Sequence, residues 1–258
     1  MLTLAAQWLV SLTVLALAVL ALRIARITPP EDASFRRGWA FTGGAFLILG
    51  LNAAFHDLFA TAGFLAGPTS ALWAGVIVAH PVLNHSRTFV EIAYSAVLCV
   101  LLVRPPSADR GLSLQRPLLI LCAAMLLGGA VGANEEVFSG VTHFTAVALW
   151  DILTMLGMFT LLYVGISSGR MDRGLWFTLG IFAFALAISV IGFAALAQID
   201  VAGEWHPRPS HLHLTKAVLH SAAAVVAWRH YTRLRRHERP RGFFDAGHGA
   251  RLSPSLHG

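Results

Sequence analysis

Charge is scarce in this chain. Only 12% of its 258 residues are Asp, Glu, Lys or Arg, against 56% hydrophobic, and the mean hydropathy is +0.67. That balance excludes an ordinary soluble domain and points to a membrane protein. Lysine is almost missing: Lys216 stands alone beside 18 arginines. The arginines cluster between long uncharged stretches, so the net charge of +6 reads as a topology signal and not as a nucleic-acid footprint. Cysteine is nearly missing too. Cys99 and Cys122 both fall in apolar runs, which excludes a disulfide framework and a multi-thiolate metal site. There is no fixed-period repeat, no heptad seam and no appended enzymatic or DNA-binding domain.

What the chain has is long apolar runs. A helix needs about 20 apolar residues to cross roughly 30 Å of hydrocarbon. Seven segments meet that measure: 3–24, 38–60, 87–103, 117–136, 142–167, 175–198 and 211–231. The first lacks a basic leading region, and Arg23 and Arg26 follow its apolar run, so it is expected to be a retained helix. Residues 61–86 contain Gly63, Gly67, Pro68 and Pro81 around the short run 71–79, and they are expected to form an outer loop. With seven spans, sixteen of the eighteen arginines fall on one side, leaving Arg87 and Arg208 on the other. The positive-inside rule then predicts an outside N-terminus and a cytoplasmic C-terminus. An eighth span would move the loop holding Arg104 to the wrong face. The expected organisation is an all-α seven-transmembrane-helix bundle over residues 1–231, followed by a basic cytoplasmic tail, 232–258, that can touch anionic lipid.

The ionisable residues within and beside these spans are the functional candidates, because each costs several kcal/mol unless it faces a bundle interior or water. On this topology most of the twelve histidines lie toward the outer mouth, with His220 deeper. Asp57, Glu91, Glu135, Glu136, Asp151, Asp200 and Glu204 join them. Helical spacing puts His213, Lys216 and His220 on one face of the last span, His143 and Asp151 on one face of the fifth, and Asn52 with His56 in the second. Imidazole suits zinc, copper or haem iron, and a carboxylate can fix its tautomer.

Three partial resemblances accompany this pattern, and none carries a family assignment. The seven-span layout, with Arg87 and Glu91 in the third span and Lys216 in the last, looks like a microbial rhodopsin. The resemblance implies retinal on Lys216 as a Schiff base and Glu91 as its counter-ion, although Leu212 stands where that family has an aspartate. The stretch 50–61, GLNAAFHDLFAT, with Lys216 and His220, is faintly similar to the zinc-dependent ceramidase and adiponectin-receptor superfamily. Asn52 and Lys216 replace its serine and one of its histidines. EEVFSG at 135–140 resembles the paired glutamates of the intramembrane CAAX-type proteases without their arginine.

From the residues themselves we expect a multi-pass protein of the inner (plasma) membrane that binds a transition metal (copper or zinc) or haem. Its ligands would be His56, His143, His213 and His220, with Asp57 and Asp151 as orienting carboxylates, and it could serve as one subunit of a membrane redox complex. The alternatives are a receptor or sensor for a small ligand, a proton or retinal, involving Lys216 and Glu91, and a transporter or proton pathway. The expected partners are the lipid bilayer and membrane-protein subunits, with no nucleic acid.

Overall fold

The computed structural model describes the backbone of residues 2–103, 114–134, 143–199 and 210–238, and side chains for nearly all of these. Among the described residues every regular element is helical. The helices are α1 (Leu2–Ile27), α2 (Ala33–Ala66), α3 (Ala71–Val103), α4 (Gln115–Ala133), α5 (His143–Ser168), α6 (Arg173–Ile199) and α7 (Ser210–Glu238), with one 3-10 turn at Pro30–Asp32. Six of them are long and apolar enough to cross a membrane, so the chain is a multi-pass membrane protein whose apolar flanks suit lipid. The exception is α7, which carries His213, Thr215, Lys216, His220 and Ser221 before its arginines.

The expected outer loop is not a loop. Residues 61–86 are helical apart from a short turn, so they lengthen α2 and α3 into one hairpin and add no eighth helix. Gly67 ends α2 at φ 88°, a left-handed conformation that its lack of a Cβ permits, and its N–H returns to Gly63 O. Ser70 then accepts the Trp73 N–H to start α3. Pro81 sits inside α3, where it removes one backbone donor without ending the helix.

Six helices close a ring in the order α1, α2, α3, α5, α6, α7 and back to α1. In α1, Val10, Val14, Leu17, Ala21 and Ile24 recur at steps of four and three and are buried, which is the apolar stripe of a packed helix. Gly43 and Gly50 of α2 let Leu22 and Leu15 of α1 settle against its backbone. Helix α4 stands outside the ring, packed on α3. At Gly128 and Gly132 its backbone rests on the α3 backbone at His85 and Pro81, where any Cβ would collide with main-chain atoms. Small residues spaced by four allow such contacts between membrane helices.

One polar cluster ties the arginine-rich end. Asp172 caps α6, its Oδ2 accepting the N–H groups of Gly174 (3.0 Å) and Leu175 (3.3 Å). The same oxygen accepts Trp39 Nε1–H from α2 at 3.1 Å and lies 3.0 Å from His230 Nε2 of α7. The His230 ring stacks on Trp39, with centroids 5.6 Å apart. Burial would push the Asp172 carboxyl up, but the His230 hydrogen bond and charge, then Trp39 and the Leu175 N–H, outweigh it. The carboxyl is held below its ordinary range. Nearby, Arg170 donates to Leu102 O (3.1 Å) and Val103 O (2.7 Å), satisfying the end of α3.

Two outcomes follow. Gly132→Ala should lower stability by about 1–3 kcal/mol through overpacking, whereas Gly180→Ala, with nothing within 4 Å of the new carbon, should be neutral or stabilising by up to about 1 kcal/mol. Thermal unfolding in mild detergent distinguishes the two. Asp172→Ala should cost about 3 kcal/mol through the lost cap and the charge-assisted bonds. Because the folded carboxyl is depressed, its contribution is complete above the ordinary carboxylate range and is lost as pH falls through the depressed value. The gap in melting temperature between wild type and variant should therefore close in acid, and a gap that stays constant would contradict the clamp.

Candidate functional site

All six ring helices converge on one internal cavity, with about 660 Å³ of empty space that includes its opening to the surroundings. Its lining divides into two chemistries. Val14, Phe46, Leu49, Met158, Phe182 and Leu186 form an apolar part, and Arg87, Glu91, Tyr94, Thr154, Lys216 and His220 form a polar part. The polar part comes chiefly from α3 and α7. On α3, Arg87, Glu91 and Tyr94 are spaced by four and three, so they share a helical face. On α7, Lys216 and His220 are one turn apart.

Arg87, Glu91, Tyr94, Thr154 and His220 are each held by an identifiable bond. Arg87 Nε donates to Glu91 Oε1 at 2.9 Å, and Asp151 of α5 and Asp57 of α2 lie within electrostatic range of the Arg87 guanidinium. Tyr94 Oη and Thr42 Oγ1 are hydrogen-bonded at 2.9 Å, and the Tyr94 ring packs on Phe41 and Phe46. His220 is buried. Its Nδ1–H donates to the Lys216 carbonyl at 2.7 Å, which leaves Nε2 as the acceptor of the neutral ring. Phe182 meets the His220 ring edge-on at 4.3 Å. Thr154 returns its hydroxyl to Trp150 O at 3.0 Å, and Trp150 packs on Phe89.

The remaining candidates lie elsewhere. His56 and Asp57 form a second cluster, toward the arginine-poor end of the hairpin. Asp57 is 4% exposed, and Ser11 Oγ of α1 donates to its Oδ2 at 2.5 Å. His56 uses its two ring nitrogens in opposite directions: Nδ1 is 3.4 Å from Asp57 Oδ1 and Nε2 is 2.8 Å from His80 Nδ1. A chelate would aim its donors at one point, whereas this is a chain. His213 is half-buried on α7 and is not part of the cavity lining. His143 begins α5, but its side chain lies outside the described residues, as do Glu135, Glu136, Asp200, Glu204 and His206. Among the described residues no three His, Cys, Asp or Glu side chains are grouped to hold a metal ion.

Sequence spacing therefore paired Lys216 with His220, and the resemblance to microbial rhodopsins set Glu91 beside Lys216, but Tyr94, Thr154 and the link of His80 to His56 were missed. A signal existed for Tyr94 in its three-residue offset from Glu91, and for Thr154 in the same offset from Asp151. None existed for His80, which reaches His56 only because the hairpin folds back. No protein-family model, curated protein or solved structure matches the chain.

Proposed function

We propose that the protein is a membrane receptor or sensor whose central cavity binds a small, largely apolar molecule with one polar end. The carrying observation is the two-sided lining: an apolar part spread over four helices, opposed by Arg87, Glu91, Lys216 and His220. Apolar walls with a few convergent polar groups are the usual form of a small-molecule site. The polar end of the ligand would meet Lys216 and the Arg87–Glu91 pair, and its apolar body would lie among Phe46, Met158, Phe182 and Leu186. We prefer this to the metal or haem expectation because His56 and His220 belong to different clusters among the described residues.

The reading includes seven spans, an outside N-terminus and residence in the inner membrane, supported by the arginine distribution. The packing of α7 between α1 and α6 supports counting α7 as a span despite its polarity. Ligand binding would bias α7 through Lys216 and His220, and its arginine-rich continuation would carry the change to the cytoplasmic side. A second reading, retinal on Lys216, is favoured by one observation: Lys216, Glu91 and Arg87 line the same cavity.

Native mass spectrometry of protein purified in mild detergent tests the proposal. Wild type should retain a bound organic molecule, Lys216→Met should weaken its retention, and Ala53→Trp, which fills the cavity, should abolish it. A visible absorption band on the wild type, absent from Lys216→Met, would select retinal. Wild type without a bound molecule, or Ala53→Trp that keeps one, would contradict the proposal.

A further inference from the structure

The chain of side chains at His80, His56 and Asp57 takes no part in the cavity lining, and its geometry is directional. His80 is exposed, His56 half-buried and Asp57 buried. Successive polar atoms are 2.8 Å and 3.4 Å apart. Asp57 sits one helical turn from Ala53, which lines the cavity, and within electrostatic range of Arg87. Helix α4, the shortest of the seven at 19 residues, ends at Ala133, with Gly132 against Pro81. His80 therefore lies at the level where α4 has already covered about 28 Å at 1.5 Å per residue, close to the full hydrocarbon thickness. We place the bilayer boundary at that level.

We propose that His80, His56 and Asp57 form a relay that carries a proton from the aqueous phase at the arginine-poor end to a buried carboxylate beside the cavity. The inference does not depend on the ligand reading. With Asp57 ionised, its Oδ1 accepts the His56 Nδ1–H, so His56 Nε2 is an acceptor and takes the hydrogen bond of His80 Nδ1–H. A proton then adds to His80 Nε2, the Nδ1 proton of His80 passes to His56 Nε2, and the Nδ1 proton of His56 passes to Asp57 Oδ1. One proton enters and one rests on the carboxyl. Both imidazoles end neutral, with their hydrogens on the opposite nitrogens, and no electron changes owner. The reverse sequence returns the proton. Ser11 steadies the carboxylate by donating to Oδ2. The groups facing Asp57 are His56 on its own helix, His80 and Arg87 on α3, and Ser11 on α1.

The bonds also explain why two histidines stand in series. A single imidazole spans about 2.2 Å between its nitrogens and could not link the exposed face of α3 to a carboxylate on the inner side of α2. Paired rings with tautomers fixed by their neighbours can pass a proton without any residue leaving its place.

A pH-jump infrared experiment on the full chain in lipid vesicles tests the relay. Acidification should produce a protonated-carboxyl C=O band that Asp57→Asn removes. His56→Phe should keep the band but slow its appearance by about a hundredfold, and His80→Phe, at an exposed position, should slow it similarly. The proposal is overturned if the band survives Asp57→Asn, or if its rise is as fast in His80→Phe as in wild type. Should Asp57→Asn or His56→Phe fail to fold, the His80→Phe rate alone decides the matter.

Discussion

A charge buried among membrane helices must find a counter-charge, a hydrogen-bond partner or water where it lies, because each uncompensated ion there costs several kcal/mol. Arg87, Glu91 and Lys216 meet that requirement inside one ring of six helices. Much of the architecture answers it. The Arg87–Glu91 bond is made within α3, so it survives any sliding of neighbouring helices. The Lys216 carbonyl holds the His220 ring, which fixes the orientation of the α7 contribution. Helix α4, with no charged residue between Arg116 and Ala133, needs no such company and packs outside the ring through glycine contacts on α3.

The two ends of the bundle are built differently. At the arginine-rich end a single carboxylate, Asp172, gathers α2, α6 and α7 through charge-assisted bonds and a helix cap. This makes a joint whose strength depends on one ionisation state. At the other end the long α2–α3 hairpin carries Asp57, His56 and His80 in an open series, and its link to α1 is made by Ser11 and by Trp8, which donates to Thr61 Oγ1 at 2.9 Å. The first arrangement converges on one oxygen and resists movement. The second leads from outside to inside and suits the passage of a proton.

Much of this was legible in the sequence. Six of the helices follow from apolar run length against bilayer thickness, and the 3.6-residue repeat alone placed Lys216 and His220 on one face. The misreading at residues 61–86 came from treating Pro81, Pro68 and Gly67 alike. Gly67 and Pro68 do form the turn, but a helix braced by neighbours tolerates a proline such as Pro81 at the cost of one backbone bond. His56 and His220, expected together, lie in different clusters for a different reason. Helical spacing reports which face a residue occupies, but which faces oppose one another depends on the order of helices around the ring. That order, with α5 rather than α4 following α3 around the ring, is set by glycine contacts and side-chain packing between distant segments. No local pattern carries it.

The sole lysine makes the central cluster directly measurable. Reductive methylation with carbon-13 labels Lys216 and the N-terminal amine only, so the side-chain resonance in a detergent-solubilised sample is unambiguous. If Lys216 shares a cavity with the Arg87–Glu91 pair, Glu91→Gln should shift that resonance while Glu31→Gln, at an exposed residue of the α1–α2 connection, leaves it in place. A lysine resonance typical of free solvent and indifferent to Glu91→Gln would contradict the central cavity.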